Sequence, residues 1–160
     1  MLTAHLPSGY VLARLLPKGI PYLMPAALIG SVFPDLDMIW FHLIDDRAFH
    51  HHRYSVHIPA FWLAVAAIGL PLAARLGYFR TALVFFAAIL MHLILDTISG
   101  GILWGAPFSD HLFALVTVPA DYSHWVISFI LHWTFLSELV VWALALYLWL
   151  TRPRQAPSAA

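Results

Sequence analysis

Cysteine is absent from the 160 residues. That excludes disulfides, thiolate zinc sites and iron–sulfur clusters, and it leaves nitrogen and oxygen as the donors for any metal. Charge is also scarce, at 10% of residues, with eight Lys and Arg balancing eight Asp and Glu. Without a basic run the chain lacks the electrostatic footprint of a nucleic-acid binder, so no nucleic acid is expected as a partner. The opening stretch MLTAHLPSGYVLARLLPKG has neither the basic start nor the small-residue cleavage site of a removable signal peptide.

What is present is apolar: 62% of residues are hydrophobic and the mean hydropathy is +0.82, well beyond an ordinary soluble domain. The sequence predicts an all-α, polytopic membrane helical bundle with four or five transmembrane helices. Its length suits one domain over residues 1–151, followed by a short disordered tail at 152–160. Residues 3–17 form an apolar segment shorter than a full span, readable as a half-buried or a tilted helix. A second run, 20–33, passes Pro21 and Pro25 and stops at Pro34-Asp35-Leu36-Asp37, and 38–44 resumes as a short apolar piece. Residues 45–57, DDRAFHHHRYSVH, are the most polar stretch and belong outside the hydrocarbon. Spans are expected over 58–74 and 81–98, and a long apolar run containing His132 and Glu138 covers 124–150. The turn-rich stretch 100–123, with Trp104, Phe108 and Phe113, suits the membrane interface.

Arg14, Lys18, Arg75, Arg80, Arg152 and Arg154 mark one side of these runs, which the positive-inside bias makes cytoplasmic, together with the C-terminus. Asp35, Asp37, the loop 50–57, Asp96, His111, Asp121 and His124 then fall on the external side, where Arg47 and Arg53 are the basic exceptions. At 1.5 Å per residue, His5, His92 and Glu138 lie roughly 18–21 Å above the cytoplasmic markers, and Asp35 and Asp96 about 25 Å above. Separate helices thus bring ionisable groups to one level.

Ten histidines are available as ligands. His92 and Asp96, four apart, share a helix face inside an apolar segment, where each ionisable group costs about 2.5–3.5 kcal/mol and therefore marks a function. Asp35 and Asp37 can point at one ion, bridge two, or cap the helix that starts near Leu36. His52 and His57 flank Arg53, whose guanidinium suits a phosphoryl or carboxyl oxygen. The run His50 to His52 is ambiguous on spacing alone, since loop histidines are often solvated. Glu138 is a site candidate on depth, while His132, six residues earlier on the last helix, points elsewhere. His42, His111 and His124 read as interfacial rings.

Taken in order, TAHLPSG, GSVFPDLD, HRYSVH and HLILDTISGGILWGAPF resemble the YdjM-like family of bacterial inner-membrane proteins, described as LexA-binding or membrane-bound metal-dependent hydrolases. The resemblance covers most of residues 3–108. It implies metal ligands at His5, Asp35, Asp37, His52, His57, His92 and Asp96, with Arg53 beside them, and a multi-pass location in the bacterial inner membrane. The chain departs from the family pattern at Met38, where histidine is usual, at Tyr54 in place of Gly, and at Val56 in place of Thr.

Together these readings give an external-facing, partly buried divalent metal site, with zinc the expected ion and manganese the alternative. The expected activity is hydrolysis of an ester or phosphoester of a lipid or lipid-linked substrate. Asp37 or Glu138 serves as the base and Arg53 binds the anionic group. Two other classes stay open. Intramembrane His, Asp and Glu are equally expected in a transporter of protons or divalent metals, although residues 83–88 and 141–148 carry no acid, base or histidine to continue a polar path. A haem-binding membrane module would use His92 with His132, or His5, as axial ligands.

Overall fold

Proline positions decide where most of the helices begin and end. The computed structural model describes residues 3–152. Helix α1 (His5–Leu15) carries Pro7 in its first turn and stops before Pro17. Helix α2 (Leu23–Val32) likewise holds Pro25 early, and Pro34, lacking the N–H that would continue the ladder, opens a 3-10 turn (Pro34–Leu36) leading into α3 (Asp37–Leu43). The chain bends there by 51°. Pro59 starts α4 (Pro59–Arg75) at the position where a missing N–H costs nothing. Helix α5 (Phe79–Asp96) contains no proline and runs unbroken for 18 residues, about 27 Å against a hydrocarbon thickness of roughly 30 Å. Helices α6 (Trp125–Leu131) and α7 (Phe135–Leu150) follow.

The described residues are all-helical apart from loops and one isolated bridge between Ile102 and Phe113. By length and composition only α5 can cross a membrane alone, and the bent pairs α2 with α3 and α6 with α7 raise the number to three. The four or five spans expected from the sequence are not reached, because α1 has 11 residues and the apolar α4 has 17. The tail beyond Arg152 lies outside the described residues.

The expected continuous helix over 124–150 is also broken, by 69°, at His132. Its Nδ1 lies 2.9 Å from Thr134 Oγ1 and accepts from the Thr134 N–H at 3.4 Å. That local bond takes a donor which an unbroken helix would give to the carbonyl four residues back. His132 therefore ends α6 and does not share a helix with Glu138.

Helix α2 packs between α1 and α5, with α4 against α5 and α7 against α1. Small residues permit the close approach. A Cβ on Gly9 would come 2.3 Å from Ser31 Oγ, and one on Gly30 would come 2.5 Å from the Phe85 carbonyl oxygen. Such packing is how helices associate in lipid, where tails as apolar as leucine offer no hydrophobic drive. The core beneath the polar cluster is built from Ala13, Ala26, Ala27 and Val84. Large apolar side chains point outward, as with Ile68 at 75% exposure, while His57, His92, Asp96 and Glu138 are fully buried. A polar interior under an apolar exterior is the arrangement of a chain solvated by hydrocarbon.

Candidate metal centre

Five segments deliver ionisable side chains to one point near the C-terminal end of α5. His5 comes from the first residue of α1, Asp35 from the 3-10 turn, and His92 and Asp96 from successive turns of α5. Two further 3-10 turns, His51–Arg53 and Ser55–His57, are separated by extended Tyr54. This puts the rings of His52 and His57 in a stack 4.6 Å apart.

Three of the imidazoles are held in the same way. His92 Nδ1 lies 2.8 Å from the Ser31 carbonyl, and His52 Nδ1 lies 2.9 and 2.8 Å from the carbonyls of Gly100 and Gly101. A carbonyl only accepts, so each Nδ1 carries the proton and donates it outward. His57 Nδ1 donates in the same sense to Asp37 Oδ2 at 2.9 Å. In the neutral form each ring then turns a lone pair at Nε2 inward.

Those nitrogens face carboxylate oxygens. Asp96 Oδ2 lies 3.0 Å from His92 Nε2, 3.7 Å from His52 Nε2 and 3.8 Å from His57 Nε2. Asp35 Oδ1 lies 3.7 Å from His92 Nε2 and 3.9 Å from His57 Nε2. Donors sharing one ion at about 2.0–2.2 Å sit roughly 3.3–3.6 Å apart in a tetrahedron, within a few tenths of an ångström of these separations. The buried Nε2 atoms of His57 and His92 have no hydrogen-bond partner among the described residues. Lone pairs and carboxylate oxygens this close could hold a cation, and the number of converging donors fits a metal ion.

His5 contributes from the other side. Its Nε2 donates to Asp96 Oδ1 at 3.1 Å, and its ring stacks on His92 with centroids 3.7 Å apart. That stack leaves no room for a porphyrin between the two rings. Three groups have donor atoms close enough to share an ion: Asp35, His57 and His92; His5, His92 and Asp96; and His51, His52 and His57.

A family model described as YdjM inner membrane protein matches residues 1–156. The chain belongs to that family. No curated protein and no solved structure matches it. The donor set described above is a feature of this YdjM-family chain's own geometry, and its chemistry, three imidazoles and two carboxylates with outer partners, fits a divalent ion.

Burial, followed by the imidazoles of His52 and His92, lowers the His57 pKa to about 3. Burial, then His52 and His57, lowers His51 to about 3 as well. Both rings are therefore neutral at physiological pH, the form that binds metal.

The remaining sequence candidates fall elsewhere. Asp37 touches the outer nitrogen of His57. Glu138 is buried and accepts from the N–H and the hydroxyl of Thr3 at 2.6 Å each, tying α7 to the entry of α1. Arg47 and Arg53 are both exposed, and of the two only Arg47 lines the cavity beside the cluster. His42, His124 and His132 bond to their own local backbone or hydroxyls. The sequence reading did not single out His51, although the triple-histidine run was its signal, and the Ser31, Gly100 and Gly101 carbonyls carry no side-chain signal at all.

Proposed function

We propose that this YdjM-family chain is a membrane-bound metal-dependent hydrolase of an ester or phosphoester in a lipid or lipid-linked substrate. The carrying observation is the convergence of three outward-tethered imidazoles, His52, His57 and His92, on the carboxylates of Asp35 and Asp96. These five residues hold the ion. Zinc is the expected occupant and manganese the alternative. A divalent ion held there supplies Lewis acidity, polarising a carbonyl or phosphoryl oxygen and acidifying water.

The protein's own groups do the rest. Asp37 fixes the tautomer and direction of His57, the office of an outer carboxylate behind a metal-binding imidazole. His5 holds Asp96 through its second oxygen. Asp35 has a 38% exposed side chain and lines the cavity. With Oδ1 turned, like the imidazole Nε2 atoms, toward the ion's position, its other oxygen is the base for the attacking water. Glu138 and Arg53, both candidates from sequence, take no part in this scheme.

In this reading the chain spans the inner membrane several times with its C-terminus in the cytoplasm, and the cluster opens to the external side. The apolar plug of Ala13, Ala26, Ala27 and Val84 supports a one-sided site over a transport path. The test is turnover by detergent-purified protein resupplied with zinc or manganese. Metal-dependent cleavage of a phospholipid-like ester, abolished in His92→Ala, is the expected result. Cleavage of soluble esters alone removes the lipid assignment, and no turnover by metal-loaded protein removes the hydrolase.

A further inference from the structure

The cavity beside the cluster has a wall of mixed character. It encloses about 790 Å³, within the range of small-molecule sites. Asp35 and His52 of the cluster form part of the wall, and Phe41, Trp125 and Phe129 form an apolar part. Arg47 is the one permanent cation among the described residues that line it.

The loop is shaped to present that cation. Asp46 and Arg47 adopt φ of 44° and 60°, a left-handed conformation that Asp tolerates but that strains a long side chain such as Arg and persists there only where the surroundings enforce it. Here the Arg47 N–H donates to the Phe41 carbonyl and the Ala48 N–H to the Asp45 carbonyl, each at 2.9 Å. The Tyr54 hydroxyl donates to the Asp45 carboxylate, which commits one of the two acids of the loop to another partner. No ion pair involving Arg47 occurs among the described residues. A guanidinium without an ion-pair partner, on the wall of a cavity that is part polar and part apolar, can receive an anion, and its fork matches phosphate oxygens.

We propose that Arg47 is the anion-binding residue of this cavity. Its ligand is an amphiphile whose phosphate head pairs with Arg47 and whose apolar chain lies against Phe41, Trp125 and Phe129. The proposal rests on the hydrolase reading only in setting that head next to the metal cluster, since the Arg47 contact itself requires no metal.

The experiment is calorimetric titration of detergent-purified protein with hexyl phosphate and, separately, with inorganic phosphate, alongside zinc content and thermal midpoint. Arg47→Gly and Arg47→Asn remove the guanidinium while keeping residues that tolerate the left-handed conformation. Both should bind hexyl phosphate at least about 10-fold more weakly, with zinc content unchanged and, for Arg47→Gly, a thermal midpoint no lower than wild type. Arg53→Ala should change affinity less than about 2-fold. Trp125→Ala should weaken hexyl phosphate but not inorganic phosphate. The proposal is overturned if wild type fails to bind hexyl phosphate, if Arg47→Gly binds it as well as wild type, or if inorganic phosphate binds as tightly. Arg47-dependent binding by a protein that holds no metal supports the proposal and counts against the hydrolase reading alone.

Discussion

Adding one methyl group at Gly100 should weaken metal binding without replacing any ligand. A Cβ at this position would lie 2.5 Å from His52 Cε1 and 3.1 Å from His52 Nδ1. Carbon atoms in ordinary contact sit about 3.5–4.0 Å apart, so the ring must retreat by about 1 Å. It has little space to do so, being buried and flanked by the rings of His51 and His57 at 4.1 and 4.6 Å. A retreat of that size stretches the Nδ1 bonds to the Gly100 and Gly101 carbonyls, now 2.9 and 2.8 Å, to about 3.8 Å, beyond hydrogen-bond range. Losing two such bonds costs about 1–3 kcal/mol, or about 5- to 150-fold in zinc affinity. Competition titration against a chromophoric chelator measures it in Gly100→Ala, His52→Ala and the double variant. If the methyl acts through His52, the double variant binds no worse than His52→Ala. A Gly100→Ala affinity within 2-fold of wild type, or an equal further loss in the His52→Ala background, would refute the reasoning.

Asp37→Asn keeps an acceptor for His57 Nδ1 but loses its charge, so zinc affinity should fall about 10-fold with the number of ions per chain unchanged; a lower ion count would make Asp37 a ligand. Glu138→Gln weakens the two bonds from Thr3 and should lower stability by about 1–3 kcal/mol in denaturant titration, while zinc content stays the same; loss of zinc would return Glu138 to the site. The lowered pKa values of His51 and His57, about 3 against an ordinary 6.5, carry a pH dependence. Below pH 6.5 the unfolded chain takes up protons that the native loop refuses until about pH 3, so the metal-free protein is fully stable above 6.5 and loses stability as pH falls between the two values. Its thermal midpoint should drop steadily from pH 7 to pH 4, and a flat profile would contradict neutral, buried rings.

Much of the centre was legible because helical geometry is regular. The four-residue spacing of His92 and Asp96 fixes a shared face, and the depth count that put His5 level with His92 corresponds to two rings in face-to-face contact. The fold was legible as all-helical, but the number of spans was not, since composition does not reveal that Pro34 and His132 bend the chain by 51° and 69°. The choice between Arg47 and Arg53 was invisible too. It depends on two consecutive left-handed residues in a loop whose sequence contains no glycine to announce them. The outer partners of His52 and His92 are backbone carbonyls, which every residue possesses, so only the folded chain distinguishes them.

The most direct test of the central claim is the metal content of detergent-purified protein, measured by mass spectrometry for wild type and for the His92→Ala, Asp96→Ala double variant. Wild type should carry about one or two divalent ions per chain, and the variant should lose them. If both forms stay metal-free after zinc and manganese are resupplied, while remaining equally folded, the converging imidazoles and carboxylates are not a metal centre.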